Sequence, residues 1–135
     1  MKDRVFYDTN TIIYLYDETE HTKQKVIHRS FALIQPVIST QVLNEMSNIM
    51  LKKFRASTST VATIIDNLCD FTDIVKIEPT HIKKALTIKE KYRYSYFDSL
   101  IIASALEAKC KTLFTEDMQH GQLINNQLTI INPYL

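Results

Sequence analysis

The sequence predicts an α/β fold, a three-layer sandwich in which helices flank a mainly parallel central sheet. Short β-prone segments alternate with helical segments along the whole chain, which is typical of parallel strands joined by crossover helices. No hairpin signal is recognised between any two strands. The chain shows no linker, repeat or low-complexity stretch, so residues 1–135 are expected to form a single domain.

The predicted strands are short runs of β-branched and aromatic residues. The first, Arg4-Val5-Phe6-Tyr7, ends directly at Asp8. In chain order the predicted strands cover residues 4–7, 37–38, 71–77, 111–114 and 128–131.

The predicted helices are recognised by apolar residues three and four positions apart and by residues suited to helix ends. Pro36 ends the second helix, Ser39 or Thr40 caps the third, and Pro79 suits the first turn of the fifth. In chain order the helices cover residues 9–16, 21–34, 41–54, 57–68, 79–92 and 95–108, with a short helical turn at 116–120.

The sixth predicted helix, in SYFDSLIIASALEA, is apolar almost throughout. Phe97, Leu100 and Ile101 begin a stripe that is expected to face the core, yet Asp98 enters in the first turn. One interpretation is a capping box with Ser95, in which the acid also complements the helix dipole. A role in ligand binding requires partners elsewhere in the chain.

Composition excludes several classes of protein. The net charge of +1 does not by itself indicate a nucleic-acid binder. No apolar run approaches the roughly 20 residues that span a bilayer, and the start MKDRVFYDTN is unlike a signal peptide, so we expect a cytoplasmic protein with no membrane partner. Cys69 and Cys110 lack metal-binding spacing and are expected to be reduced thiols. Gly121 is the only glycine, which excludes the glycine-rich phosphate turns of P-loop and Rossmann proteins.

Four acids are predicted to lie at the starts of helices or directly after strands. Asp8 follows the first strand, Asp117 follows the strand at 111–114, and Glu45 and Asp98 lie about one turn into their helices. The ligand crevice of an open parallel sheet lies at the carboxyl ends of its strands, so these acids are expected to face one crevice. Each also has an explanation of its own, as a cap, a dipole complement or a solvated residue.

A shared crevice of carboxylates requires a positive partner. Two like charges about 4 Å apart cost on the order of 4 kcal/mol at an effective dielectric constant of 20. Carboxylates without cysteine or a histidine pair suit the hard cations Mg²⁺ and Mn²⁺, which keep several waters and often share substrate phosphates. The pattern therefore predicts a Mg²⁺ or Mn²⁺ site suited to hydrolysis of a phosphodiester.

The four acid-bearing segments resemble the motifs of the PIN-domain family of metal-dependent nucleases. They read VFYDTNTII, TQVLNEMSN, YFDSLIIASAL and LFTEDMQHGQ and extend over nearly the whole chain. The residues that the resemblance assigns to catalysis and metal binding are Asp8, Glu45, Asp98 and Asp117. It implies that Asn10 and Thr115 orient the carboxylates. Glu116 is an alternative to Asp117, which the family's T-x-D pattern favours.

The resemblance implies a Mg²⁺/Mn²⁺-dependent endoribonuclease with RNA as its substrate. Many members of the family are toxins of VapBC-type toxin–antitoxin pairs, so it also implies an antitoxin partner and a homodimer. We further expect Lys52, Lys53 and Arg55 to hold the RNA backbone, although a solvated helix face has the same pattern.

Two other functions stay open at this point. One is a PIN-like scaffold that binds RNA or a protein without cleavage. The other, less favoured, is a Mg²⁺-dependent phosphotransfer domain, whose paired acids are not found in the sequence DTN.

Overall fold

A six-stranded sheet forms the centre of the computed structural model, which describes residues 2–135. Its strand order is β3-β2-β1-β4-β6-β5, and every neighbouring pair is parallel except β5 with β6. The strands are β1 (Arg4–Tyr7), β2 (Gln35–Ser39), β3 (Asp73–Val75), β4 (Thr112–Phe114), β5 (Leu123–Ile124) and β6 (Leu128–Ile131). The helices are α1 (Thr9–Ile13), α2 (His21–Ser30), α3 (Thr40–Lys52), α4 (Thr58–Phe71), α5 (Pro79–Tyr92) and α6 (Tyr96–Glu107).

The order of the connections places helices on both sides of the sheet. The chain steps from β1 to β2 and from β2 to β3 in one direction, then returns through α5 and α6 to β4 on the other side of β1. Because such crossovers are right-handed, α1 to α4 cover one face and α5 and α6 the other. The predicted three-layer α/β sandwich is confirmed.

The centre of the core lies where the first, second and fourth strands run side by side. Phe6 is opposite both Val37 and Leu113, and all three side chains are fully buried. Runs of apolar residues are expected in strands that are covered on both faces. The register therefore fixes where β1 and β4 end relative to each other.

Two predicted helix ends differ from the structure. The first helix is α-helical only to Ile13 and continues as a 3₁₀ turn at Tyr14–Tyr16. The second ends at Ser30 rather than 34, and Pro36 lies inside β2. Pro36 is tolerated there because β3 begins opposite Val37, so no neighbouring strand requires the amide that proline lacks.

Two further predictions were wrong in detail. The predicted strand at 71–77 is only Asp73–Val75, because α4 extends to Phe71. The predicted helical turn at 116–120 is not a helix. Its amides bond side chains instead: the Asp117 amide donates to Thr115 Oγ1 at 3.1 Å and the Gln119 amide to Tyr94 Oη at 3.1 Å.

The absence of a hairpin was also predicted wrongly. The strands β5 and β6 pair antiparallel across a tight turn at Asn125 and Asn126, whose φ angles are 49° and 55°. The Gln127 amide closes the turn on the Ile124 carbonyl at 2.9 Å. Two consecutive positive φ values define a type I′ turn, which asparagine tolerates but which usually carries a glycine.

The sixth helix is buried along nearly its whole length. Every residue from 99 to 106 is buried, because the helix packs on the sheet and against α5. Phe97, which was predicted to face the core, is instead 54% exposed. None of the helices in the described part of the chain is long and apolar enough to cross a membrane.

The type I′ turn gives a test of the hairpin. Replacement Asn126→Gly should raise the free energy of unfolding by about 0.5–1 kcal/mol, because glycine adopts a positive φ without steric cost. Urea unfolding measures the change. In the control Asn67→Gly, at an exposed position inside α4, the same side-chain loss should destabilise by a few tenths of a kcal/mol. A loss of stability in Asn126→Gly would contradict the assigned turn.

Candidate metal-binding active site

The candidate site lies at the carboxyl ends of β1 and β4. These strands are neighbours, but the chain leaves β1 towards β2 and leaves β4 towards β6, in opposite directions across the sheet. Such a switch point opens a crevice in α/β sheets. The Asp8 amide donates to the Phe114 carbonyl at 3.1 Å, which holds the two strand ends together. Asp8 and the segment after Phe114 therefore face one another.

Asp8 is a buried carboxylate with both oxygens bonded. It is only 8% exposed, and it is the N-cap of α1, where Oδ1 accepts from the Thr9 amide at 2.7 Å. Its Oδ2 accepts from Thr115 Oγ1, also at 2.7 Å. The capping interpretation of Asp8 is therefore correct, but the cap uses one oxygen and the second bonds across the crevice.

Burial raises the pKa of the Asp8 carboxyl to about 6. The hydrogen bonds from Thr115 and Thr9 favour the charged form and lower it, while the charges of Asp98 and Asp117 raise it further. The folded protein therefore loses stability when Asp8 ionises, because the charged group is buried and lies near the charges of Asp98 and Asp117.

Asp98 and Glu45 approach the same crevice from two helices. Asp98 lies in the first turn of α6, and its amide donates to Ser95 Oγ at 3.2 Å, so this half of the predicted capping box is formed. Burial raises the pKa of Asp98, and the charge of Asp117 adds to the shift. Burial also raises the pKa of Glu45, with a further increase from the charge of Asp98. Both side chains are half-buried.

Asp117 is the exposed member of the set. Its Oδ2 accepts from Asn10 Nδ2 at 3.2 Å, and its amide donates to Thr115 Oγ1 at 3.1 Å. The Thr115 hydroxyl therefore donates to Asp8 and accepts from the backbone of Asp117. Asn10 and Thr115 thus each bond the carboxylate of one of these acids, and the role predicted for them, orientation of metal ligands, stays a prediction.

Glu116 has different partners from its neighbour Asp117. Tyr14 Oη donates to Glu116 Oε1, and Lys23 Nζ donates to Oε2 at 2.8 Å. Burial raises the pKa of Glu116, but the bonds from Lys23 and Tyr14 outweigh it, and the pKa lies below its ordinary value. Both oxygens of Glu116 are thus occupied, whereas Asp117 receives a single side-chain bond.

The four acids Asp8, Glu45, Asp98 and Asp117, called here the acidic site, share one edge without converging. Within residues 2–135 no three acidic, histidine or cysteine side chains come close enough to form a ready-made metal-ligand set. None of the four acids forms a salt bridge with a described lysine or arginine. Carboxylates without a positive partner repel one another, so bringing these four together requires a cation. The donors are all hard oxygens and suit a cation that keeps part of its water, such as Mg²⁺ or Mn²⁺.

The basic residues chosen from the sequence lie at the end of α3. Lys52, Lys53 and Arg55 are all exposed. Lys53 lines a cleft of about 130 Å³ together with Asn10 and Phe54, and its Nζ lies 5.7 Å from the centre of the Phe54 ring. Because Asn10 contacts Asp117, this cleft joins the basic end of α3 to the acidic site.

Several contributors were missed by sequence reasoning. Thr9 Oγ1 makes a long contact of 3.5 Å with Glu45, and Thr11 Oγ1 donates to the Phe114 carbonyl at 3.2 Å. Tyr14 lies one helical turn after Asn10, a spacing that could have indicated a shared face. Lys23 had no local signal, because its partner lies 93 residues away in the sequence.

The raised pKa of Asp8 predicts a pH-dependent stability change in Asp8→Asn. In the unfolded chain the carboxyl ionises near pH 4, and in the folded chain near pH 6, so the ionised form costs stability fully above pH 6 and not at all below pH 4. With divalent ions chelated, the variant should be more stable at pH 7.5 by on the order of 2–3 kcal/mol, a gain that shrinks towards zero at pH 4.

Urea unfolding across this pH range measures the gain. Asp66→Asn, at an exposed acid of α4, is the control for the substitution itself. Destabilisation of the Asp8 variant at pH 7.5 would show that the bonds from Thr9 and Thr115 outweigh the cost of burying the charge.

Several solved structures share this fold. A toxin–antitoxin complex from Klebsiella pneumoniae is 18% identical with a TM-score of 0.71, covering 96% of this chain and 98% of that one. VapBC2 from Rickettsia felis, bound to a DNA fragment from its promoter, is 15% identical with a TM-score of 0.67, covering 96% and 99%. Mycobacterium tuberculosis VapC20, a sarcin–ricin loop cleaving toxin, is 17% identical with a TM-score of 0.61, covering 84% and 91%.

At these identities the likeness concerns the fold alone. No curated protein sequence matches this chain significantly. The family model for the PIN domain, however, matches residues 5–123, which is most of the chain. This match agrees with the resemblance of the four motifs and with the doubly wound sheet around β1 and β4. The chain belongs to the PIN-domain family.

Proposed function

We propose that the chain is a metal-dependent endoribonuclease that hydrolyses RNA phosphodiester bonds at the acidic site. The observation that carries this proposal is the state of Asp8. A carboxylate that is 8% exposed lies at the switch point of the sheet, and two further acids raise its pKa. The hydrogen bonds of Asp8, including its cap of α1, offset only part of the cost of burying its charge, whereas a bound divalent cation reverses the sign of the repulsion.

The donor set favours Mg²⁺ or Mn²⁺. In the proposal, the residues that hold the ion are Asp8, Glu45, Asp98 and Asp117. Asn10 and Thr115 orient Asp117 and Asp8 through the bonds at 3.2 and 2.7 Å. Glu116 is not among the ligands in the proposal, because the ammonium group of Lys23 already neutralises its charge, whereas none of the four acids has such a partner among the described residues.

A bound ion would lower the pKa of the attacking water and neutralise charge on the phosphate and the leaving oxygen. The protein's own contribution is positional. Asp8 is fixed by two short hydrogen bonds and burial, so it is the rigid member of the set. Glu45 and Asp98 are half-buried and Asp117 is exposed, so the open side of the site, where a substrate phosphate would arrive, is on their side.

The proposal extends to the biological setting. The structures with this fold include toxin–antitoxin complexes, and one of them is described as cleaving the sarcin–ricin loop. By analogy we propose that the chain is the toxin of such a pair, acting in the cytoplasm as a homodimer with an antitoxin as its partner. This analogy rests on the fold, whereas the nuclease assignment rests on the acidic site.

A second candidate function is a PIN-like scaffold that binds RNA or a protein without cleaving it. The observation that favours it is the lack of three convergent ligand side chains within residues 2–135. Against it stands the buried charge of Asp8, for which a binding scaffold has no use. The two functions differ in whether cleavage follows the addition of metal.

The nuclease proposal predicts that Asp8→Asn loses the metal-dependent cleavage of RNA. Purified protein should cut structured and unstructured RNA with Mn²⁺ or Mg²⁺ and not with chelator. The variant should lose at least about 100-fold in rate, because ligand removal weakens an interaction worth several kcal/mol in the transition state. Gel analysis of labelled RNA measures the rate, with Asp66→Asn as a variant expected to keep full activity. Wild-type binding of RNA without cleavage under any metal condition would support the scaffold instead.

The basic end of α3 gives a separate prediction for substrate binding. If Lys52, Lys53 and Arg55 contact phosphates, the variant with all three changed to glutamine should bind RNA with a shallower dependence on salt. The slope of log affinity against log salt should fall by about 0.7 for each phosphate of single-stranded RNA that the protein no longer neutralises. Changing Lys83, Lys89 and Lys91 of α5 to glutamine is the matched control. An unchanged slope in the α3 variant would place the phosphate-binding residues elsewhere.

A further inference from the structure

We infer that Lys23 is a positioning residue that fixes Asp117 through Glu116, and this inference rests on the proposed function of the acidic site. Lys23, Tyr14 and Glu116 form a closed set of contacts, called here the Glu116 clamp. Lys23 Nζ lies 2.8 Å from Glu116 Oε2 and 3.2 Å from Tyr14 Oη, and Tyr14 Oη bonds Glu116 Oε1. Each of the three side chains thus bonds the other two.

The clamp joins two parts of the chain that also meet at the acidic site. Asn10 and Tyr14 are four residues apart, so they lie on one face of α1 and the turn that follows it. Asn10 bonds Asp117, and Tyr14 bonds the adjacent Glu116. Two successive acids are therefore held by two residues one helical turn apart.

The backbone of the same segment is held at a third point. Thr11 Oγ1 donates to the Phe114 carbonyl at 3.2 Å, so α1 contacts the segment 114–117 at its start and at its end. The pairing with β6 extends as far as the Thr115 amide, which donates to the Ile131 carbonyl at 3.0 Å, and residues 116–119 have no regular secondary structure. Beyond the bond from its own amide to Thr115, the position of Asp117 depends on these side-chain contacts, of which the clamp is the one that carries a charge pair.

Lys23 is well placed to maintain the clamp. Its side chain is 30% exposed and that of Glu116 is 21% exposed, so the pair is partly shielded from solvent. Lys23 Nζ lies 4.8 Å from the centre of the Tyr14 ring and 5.4 Å from that of Tyr134, and these two rings pack edge to face at 5.6 Å. Cation–π contacts of this kind restrict where the ammonium group can lie.

Without Lys23, the Glu116 carboxylate loses its only salt bridge among the described residues. The Tyr14 hydroxyl alone then holds the Glu116 carboxylate, which can turn to water or towards the acidic site, where it adds a fifth negative charge. Either movement carries the adjacent Asp117 with it through the backbone. The clamp thus keeps the charge of Glu116 out of the acidic site.

The test uses Lys23→Met, which keeps the apolar stem over the tyrosine rings and removes the charge. In the metal-free protein, the Asp117 amide, which bonds Thr115 Oγ1, should exchange with deuterium faster, as NMR would measure. In calorimetric titration with MnCl₂ alone, the variant should bind Mn²⁺ about 10-fold more weakly than wild type, the range seen when partners that orient ligands are removed. Lys23→Arg should restore most of both properties.

A matched control is available in the ion pair between Lys84 and Glu107. Its length is 2.9 Å, with side chains 33% and 41% exposed, and it lies between α5 and α6 away from Glu116. Lys84→Met should leave the Asp117 amide and Mn²⁺ affinity unchanged. The double variant Lys23→Met with Glu116→Gln should be no worse than Lys23→Met alone, because both changes disrupt the same clamp.

Three results would overturn the inference. Unchanged exchange at Asp117 in Lys23→Met would show that the clamp does not fix this residue. Tighter Mn²⁺ binding in that variant would show that the freed Glu116 is itself a metal ligand. A raised KM for RNA with unchanged amide exchange would show that Lys23 contacts the substrate phosphate directly.

Failure of the proposed function gives a different pattern. A wild-type protein that cuts no RNA with Mn²⁺ or Mg²⁺ removes the nuclease assignment. The exchange rate of the Asp117 amide is measured without metal or RNA, so the effect of Lys23 on that residue is decided independently.

Discussion

The site depends on one hydrogen bond, from Thr115 Oγ1 to the buried Asp8 carboxylate. It joins the ends of β1 and β4, and the same hydroxyl accepts from the amide of Asp117. A buried carboxylate is stable in its charged form only when such donors surround it. The Thr115 hydroxyl therefore holds the side chain of Asp8 and the backbone of Asp117, at the point where the sheet opens.

Helix capping and ligand binding are compatible here because a carboxylate has two oxygens. Asp8 uses one oxygen for the Thr9 amide and offers the other across the crevice. The backbone amide of Asp98 donates to Ser95 Oγ at the start of a buried helix. The side chain of Asp98 lies close enough to Asp8 for its charge to raise the pKa of Asp8. The starts of helices are favourable places for acids, since the helix dipole offsets part of their repulsion. The fold thus places several carboxylates near one another without a lysine or arginine to neutralise them among the described residues.

Much of the fold could be predicted from local sequence, and so could the places of the four acids after strands and at the starts of helices, whereas their role as metal ligands stays a prediction. The strand at Arg4–Tyr7 and the helix beginning at Pro79 follow from short-range patterns, and both are present. The hairpin at Asn125 was missed because its turn lacks the glycine that usually marks such turns. Lys23 was missed for another reason. Its role depends on a salt bridge with Glu116, which is distant in the sequence and is brought near by the crossover connections. Local signals predict elements, whereas contacts between distant segments decide how a site is held.

Thr115 follows Asp8 by 107 residues, so the ribosome must release β4 before the two side chains can meet. Chains emerge at about 5–20 residues per second, and for most of that time Asp8 lacks its partner Thr115 and Asp117 does not yet exist. Whatever chemistry this edge performs is consequently confined to chains whose translation has passed the fourth strand. A premature stop codon before that point yields a product that is inert at the site, however well its first three strands have formed.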